Sequence, residues 1–248
     1  MRVFLITGAG SGIGAAAARR LAGPATGFLL ATRRNAAGLE ALADELRAAG
    51  ASIDTVLGET GDPAFAETAV ARACERFGRL DVVVACAGAA DRAALAELTR
   101  ARLDAAWAGM TAAFGDLARA AAPALAASRT GRLIGVSSFV ATLFRADLPA
   151  FAASAAAKAG LEALVRALAL ELASSGATVN AVAPGFTRKD GARQGAMDPE
   201  RWRAITASIP MGRLAEPAEI AETIAWLAGP EAGFVTGQIL RVDGGLAL

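Results

Sequence analysis

Seven short apolar runs separated by longer helical patterns constrain this chain more than any other feature. Runs rich in β-branched and aliphatic residues occupy 2–6, 27–31, 52–57, 80–85, 132–136, 177–182 and 238–242, and read as strands. Helical patterns lie between them, near 12–22, 36–49, 63–77, 99–127, 152–174 and 217–228. Strict alternation of the two predicts a parallel sheet covered by helices on both faces, a three-layer α/β/α fold. The strands are apolar throughout, as burial on both faces requires. Asp62 and Pro63 read as the N-cap and first residue of a helix; Pro217 marks a similar start, with Gly229-Pro230 beyond its end. No repeat, linker or break in composition divides residues 1–248, so a single domain is expected. The least regular stretch, 185–210, is polar, glycine-rich and long for a loop, and is expected to serve as a substrate lid.

Composition narrows the function. Hydrophobic residues make up 54% of the chain, which excludes a disordered protein. Formal charge is +1 with no basic block, which argues against nucleic-acid binding and against an electrostatic membrane anchor. No uninterrupted apolar run is long enough for a spanning helix, and the start of the chain does not read as a signal segment. Cys74 and Cys86 form no CxxC motif and the chain has no histidine, so no metal site is expected. They read as free core thiols, which fits a reducing cytoplasm.

The segment TGAGSGIG, Thr7–Gly14, follows the first strand and opens the first helix. Gly8, Gly10, Gly12 and Gly14 allow tight turning and close approach of a ligand. The helix start adds N–H groups and a positive dipole end suited to a pyrophosphate. Many glycine-rich loops are only turns; the strand–loop–helix setting favours a nucleotide.

The TGxxxGIG spacing resembles that of the short-chain dehydrogenase/reductase family, nearest the 3-ketoacyl carrier-protein reductase branch. Further resemblance lies in VSS (136–138), Lys158 with the following AGLEAL, VNAVAPGF (179–186), GRLAEPAEIA (212–221) and VTGQILRVDGG (235–245). The resemblance implies a Rossmann-type sheet of seven parallel strands, a nicotinamide cofactor, a small-molecule substrate and a homotetramer, with a homodimer as the other assembly. It also implies cofactor contacts from Thr7, Gly8, Ser11, Gly12, Ile13, Gly14, Ala87, Gly88, Lys158, Pro184, Gly185 and Thr187.

The second strand ends in Thr32, Arg33 and Arg34, without the acid that would bind a ribose 2′-OH. A guanidinium suits a 2′-phosphate, so NADP(H) is favoured over NAD(H), with Arg33 the nearer candidate. The alternative is that both arginines are solvated charges. Glu59 and Thr60 follow the third strand, where the family places an Asp-hydrophobic pair near the adenine.

The catalytic set departs from the family. The serine matches Ser138 and the lysine Lys158. The tyrosine position holds Ser154, the helix asparagine aligns with Gly109, and the asparagine of the family's NNAG aligns with Cys86 in ACAG. The chain has no tyrosine. Phe151 lies nearby but has no hydroxyl. Ser154 and Lys158 are spaced i, i+4 and share a helix face. A serine hydroxyl resembles water in acidity, with a pKa of about 15.7, so it does not inherit the role of a phenol near 10. Lysine, near 10.4, is comparable to tyrosine. Lys158 is therefore expected to supply the proton, through a water held by Ser154, to a carbonyl bound by Ser138. The bland readings are a turn cap at Ser138, an inert small residue at Ser154, and a Lys158–Glu162–Arg166 charge ladder.

Arg145, Asp147, Phe144, Met197 and Trp202 are candidates for the substrate mouth. Trp107 and Trp226 read as core or interface residues. Three functions stay open: an NADP(H)-dependent oxidoreductase of a carbonyl or alcohol, a cofactor-binding protein with little turnover, and a lyase or isomerase. The retained Ser138–Lys158 pair favours the oxidoreductase.

Overall fold

Each central strand must bury two faces, and the residues divide accordingly. In the computed structural model, which describes residues 1–148, 151–188 and 199–248, all seven strands are parallel. They are β1 (Arg2–Thr7), β2 (Thr26–Thr32), β3 (Ser52–Leu57), β4 (Val82–Ala85), β5 (Arg132–Val136), β6 (Thr178–Pro184) and β7 (Ile239–Val242). Their spatial order is β3-β2-β1-β4-β5-β6-β7. The helices are α1 (Gly12–Leu21), α2 (Ala36–Ala48), α3 (Pro63–Phe77), α4 (Arg100–Ala106), α5 (Ala113–Ala127), α6 (Ala152–Leu172), α7 (Pro199–Ala207) and α8 (Pro217–Ala228).

Alternate strand residues feed opposite layers. Phe4, Ile6, Phe28, Leu30, Val82, Val84 and Ile134 pack on one face with α1, α2 and α8. Val3, Leu5, Leu29, Val83, Leu133 and Val179 pack on the other with α3, α5 and α6. Phe4 and Phe28 stack at 4.8 Å between ring centroids across the β1–β2 pair. Fully burying such a side chain contributes about 1.5–3 kcal/mol, so the centre of the sheet is its firmest part.

Helix ends follow local chemistry. The Asp62 carboxylate accepts from Ala64 N–H at 3.0 Å, Pro63 opens α3, and Gly78 closes it at φ 75°. Glu216 and Glu219 form a reciprocal capping box ahead of α8.

Several expectations need correction. The segment 99–127 is not one α-helix: a π-helical turn, Trp107–Ala112, separates α4 from α5. An extra residue in a helical turn leaves the apolar face almost intact, so the pattern does not betray it. The stretch 185–210 is not loop throughout, because α7 occupies 199–207; residues 189–198, including Met197, lie outside the described residues. Trp107 and Trp226 are 51% and 43% exposed and so do not belong to the core of this chain. Cys74 and Cys86 are unpaired but only partly buried.

The sheet order reverses between β1 and β4, whose connections leave to opposite sides. In open parallel sheets a crevice opens there, outside the carboxyl ends of the strands.

Candidate active site

Thr7, at the end of β1, is buried, and its Oγ1 accepts from the N–H groups of Cys86 and Ala87 at 3.2 Å each. One side chain thus ties β1 to the exit of β4 at the floor of the crevice. The glycines that follow have different duties. A Cβ on Gly14 would lie 2.4 Å from Gly8 O, and one on Gly8, at φ 69°, would lie 2.9 Å from Ala87 N. A Cβ on Gly12, at φ 57°, would meet nothing within 4 Å. Gly8 and Gly14 therefore serve packing, whereas Gly12 faces open space at the start of α1. Ser11 enters α1 with extended backbone and makes no side-chain cap. Open space beside a helix start with Ile13 and Gly14 next in line fits a pyrophosphate.

Asn35 was missed by the sequence reading. Its Nδ2 donates to Gly10 O at 2.6 Å while its Oδ1 accepts from Gly38 N–H, so one amide braces the glycine loop and caps α2. An asparagine directly before a helical pattern was the available signal.

At the exit of β2, Arg33 Nη1 lies 2.8 Å from Glu59 Oε2, both side chains being about half exposed. Arg34 is exposed, and Thr60, the residue after Glu59, is partly buried.

The residues at the ends of β4, β5 and α6 converge. Lys158 is buried, and its Nζ donates to Val136 O at 2.5 Å. A Cβ on Gly88 would sit 3.5 Å from that nitrogen, so the amine lies beside the Ala87-Gly88 backbone. Burial pushes the Lys158 amine down to about 8, with Cys86 and Glu162 pulling weakly the other way. Burial pushes the Cys86 thiol up to about 11, against the attraction of Lys158. Cys86 is thus a protonated neighbour of the lysine rather than a nucleophile.

Ser154 is 2% exposed, and its Oγ accepts from Asp91 N–H at 2.8 Å. Asp91 also accepts from Ala93 N–H and forms a two-pronged ion pair with Arg102 of α4. The loop after β4 is therefore clasped onto α6 at the position where the resemblance expects a phenol. The hydroxyl proton of Ser154 is left to donate. Asp91 is a second residue that sequence reasoning missed, since its role depends on a contact across 63 residues.

Ser138 is partly buried and accepts from Val140 N–H at 3.4 Å, so it does cap the turn after β5. The charge ladder on α6 is not formed. Ser137 Oγ donates to Glu162 Oε1 at 2.7 Å, and Arg166 donates to the Glu162 main-chain carbonyl at 3.3 Å. Gly109 lies in the π-helical turn, with nothing within 4 Å of where a Cβ would sit.

Beyond these groups stands an apolar wall. Phe139 meets Phe151 edge-on at 6.2 Å and Phe186 at 4.5 Å; Trp202 meets Phe186 edge-on at 6.5 Å. Phe144 is exposed, and Arg145 pairs with Asp147 at 2.6 Å. Pro184 ends β6, and a Cβ on Gly185 would lie 2.7 Å from the Asp243 Cα. Thr187 bridges to Ala215 and its Oγ1 donates to Gly185 O at 3.2 Å. Among the described residues no cluster of potential metal ligands occurs. No described helix is long and apolar enough to cross a membrane.

Residues 8–247 match the family described as Enoyl-(Acyl carrier protein) reductase. The chain is 35% identical over 255 residues to the 3-oxoacyl-[acyl-carrier-protein] reductase FabG of Escherichia coli strain K12, covering 99% of this chain and 97% of that protein. It is 38% identical over 251 residues to the cis-4-hydroxycyclohexanecarboxylate dehydrogenase of Sinomonas cyclohexanicum, covering 98% and 96%. A solved short-chain dehydrogenase from Burkholderia cenocepacia J2315, in complex with NADP, superposes with a TM-score of 0.89 at 30% identity, covering 100% of this chain and 98% of that one.

Proposed function

The chain belongs to the short-chain dehydrogenase/reductase family and is an oxidoreductase of that type, and from this premise we propose that it is an NADP(H)-dependent enzyme for a carbonyl or alcohol substrate whose proton relay works without a phenol. The observation that carries this reading is the buried Lys158 amine, lowered to about 8, beside the Ala87-Gly88 backbone and one helical turn from Ser154.

Thr7, Gly8, Ser11, Gly12, Ile13 and Gly14 hold the pyrophosphate; Ala87, Gly88 and Lys158 hold the nicotinamide-side ribose region; Pro184, Gly185 and Thr187 line the nicotinamide. Arg33 and Arg34 face the 2′-phosphate, and Glu59 and Thr60 the adenine. The bound cofactor supplies the hydride. Ser138 donates its hydroxyl proton as a hydrogen bond to the substrate oxygen, a role compatible with accepting from Val140 N–H, because a hydroxyl accepts and donates at once. Lys158, as the ammonium, is the proton source. Ser154, fixed by the Asp91 N–H, holds the water through which the proton reaches the substrate oxygen. The partners are a small-molecule substrate and further copies of this chain in a homotetramer, with no nucleic acid or membrane. The two unpaired cysteines suit a reducing cytoplasm.

A cofactor-binding protein with little turnover is the second reading. It is favoured by one observation: both active-site serines are already engaged by main-chain N–H groups. Titration with NADPH and NADH, followed by a panel of ketones and aldehydes, separates the two. Cofactor oxidation with any panel member supports the enzyme; tight NADPH binding without turnover supports the binder.

A further inference from the structure

The exit of β5 grips α6 at two successive residues. The Val136 carbonyl accepts from Lys158 Nζ at 2.5 Å, and the Ser137 hydroxyl donates to Glu162 Oε1 at 2.7 Å. Ser137 is itself tied to β6, its N–H donating to Val182 O at 2.7 Å. Ser137, Lys158 and Glu162 are all buried. Lys158 and Glu162 are spaced i, i+4, so they share a face of α6. A carboxylate at that depth is costly unless it is hydrogen-bonded or paired. Ser137 supplies the hydrogen bond, and the Lys158 amine stands one helical turn away. Arg166, a turn further on, donates to the Glu162 main-chain carbonyl and not to the carboxylate. Val136, Ser137, β6 and the π-helical turn bring no ionisable side chain to this face. On α4 and α5, Arg100 is held by Asp104, Arg102 by Asp91 and Arg119 by Glu67, and Asp116 is partly buried.

We infer that Glu162, clasped by Ser137, is a positioning residue for Lys158: its buried carboxylate sustains the ammonium form that gives up the proton, and the shared grip of Val136 and Ser137 holds the amine beside the Ala87-Gly88 backbone. The inference rests on the oxidoreductase reading above and deepens it. Burial lowers the Lys158 amine, and two groups oppose it, Cys86 and then Glu162. The Cys86 thiol titrates only near 11 and is neutral below that. Of the two, Glu162 is therefore the anion that acts on Lys158 where the amine itself titrates. The amine bonds to Val136 O and leaves the carboxylate to Ser137, so Glu162 acts through space and touches neither substrate nor cofactor.

The chain's only other lysine is Lys189, so the titration of Lys158 can be followed by NMR on the intact protein labelled at lysine Cε, with Lys189→Arg assigning the signals. Carbonyl reduction across pH, at saturating cofactor, gives a second readout. Glu162→Gln keeps an oxygen for Ser137 and removes the charge. It is expected to lower the Lys158 midpoint by about half a pH unit, and the reduction midpoint with it, so that the rate well above the midpoint drops about threefold and the rate well below it changes less. Loosening of α6 alone would lower the rate at every pH. Glu162→Asp keeps the charge and is expected to restore most of the midpoint. Ser137→Ala keeps the carboxylate but removes its donor; it is expected to lower the unfolding temperature and to leave the midpoint at or above that of the unaltered protein. An unmoved or raised midpoint in Glu162→Gln overturns the inference. So does an equal fall in Ser137→Ala, or a reduction profile that stays fixed while the lysine midpoint moves. Should Glu162→Gln not fold, the Ser137→Ala midpoint decides, a fall overturning the inference. If the unaltered protein reduces no carbonyl yet the Lys158 signal responds as stated, the oxidoreductase reading falls and the coupling of Glu162 to Lys158 stands.

Discussion

Lys158 donates its Nζ to the main-chain carbonyl of Val136 at 2.5 Å, from a side chain that is only 8% exposed. That bond anchors α6 to the carboxyl end of β5. It also leaves the amine in a place where charge is costly, with consequences that can be measured.

The first concerns pH. The Lys158 pKa falls from an ordinary 10.5 to about 8 on folding. Between those values the unfolded chain binds more protons than the folded one, so stability rises with pH. The full penalty is present below the folded value, and it is relieved as pH climbs through about 8. Cys86 acts in the opposite sense: its thiol moves from 9.0 up to about 11, so its contribution is lost as pH rises above 9.0. The clean window lies between the two, where the gain is about 1 kcal/mol. Denaturant unfolding should show that gain in the unaltered protein and not in Lys158→Met.

The same ionisation should govern turnover. As ammonium, Lys158 can give up a proton; as amine, it cannot. Carbonyl reduction is expected to fall as pH rises through the pKa of about 8, and Lys158→Met should lower kcat by about 100-fold or more, the ordinary scale of general acid catalysis. Brisk reduction by Lys158→Met with cofactor still bound would remove the lysine from the mechanism.

The two outer glycines of the loop should respond differently from the one between them. Gly14→Ala drives a methyl against Gly8 O and is expected to cost about 1–3 kcal/mol of stability. Gly12→Ala meets no atom but must hold φ near 57°, at a cost of about 1–2 kcal/mol. Its main effect should be on cofactor affinity, reduced about tenfold or more because the methyl fills the space assigned to the pyrophosphate. Thermal unfolding beside a binding titration distinguishes these effects.

Thr7→Val should expose how much the crevice floor depends on one hydroxyl. The change keeps the shape but leaves the Cys86 and Ala87 N–H groups without their acceptor. A cost of about 2–4 kcal/mol is expected for two orphaned donors, and Thr7→Ser should restore most of it. An unaltered unfolding midpoint in the valine variant would show that water replaces the hydroxyl.

Ser154→Tyr tests whether the pocket still orients a substrate. A phenol cannot keep the Asp91 N–H in the place where the serine oxygen now accepts it, so the loop around Asp91 and Arg102 must move. Carbonyl reduction is expected to rise if the remaining geometry is sound, and Asp91 amide exchange should quicken. Unchanged exchange with unchanged activity would show that the clasp does not matter.

Much of the fold was legible because its signals are local and repeated. Asp62-Pro63 starts α3 where those two residue types must, and seven apolar runs give seven strands. What the sequence concealed depends on distance along the chain. Arg33 and Glu59 are 26 residues apart, and only the parallel register of β2 and β3 brings an acid to an exit that looked wholly basic. Asp81 reads as part of the fourth strand, yet the strand begins at Val82; the Asp81 carboxylate accepts from Val3 N–H, Arg79 and Ser128 at the amino end of that strand. The Asp91–Ser154 contact had no periodicity to reveal it. The reading of Ser138, Ser154 and Lys158 as neighbours began from the resemblance, and the fold brings the ends of β5 and α6 together around them.

The wide turn at Trp107–Ala112 carries one surplus residue within an otherwise continuous rod. Because a π-helical turn takes up one extra residue without rotating the helix on either side of it, excising a single position there would let ordinary winding of about 100° per residue run from Arg100 into α5 with both flanks facing as they do now. Length variation of one residue is therefore survivable at that point, both for the rod and for the side chains on its flanks that look toward the crevice.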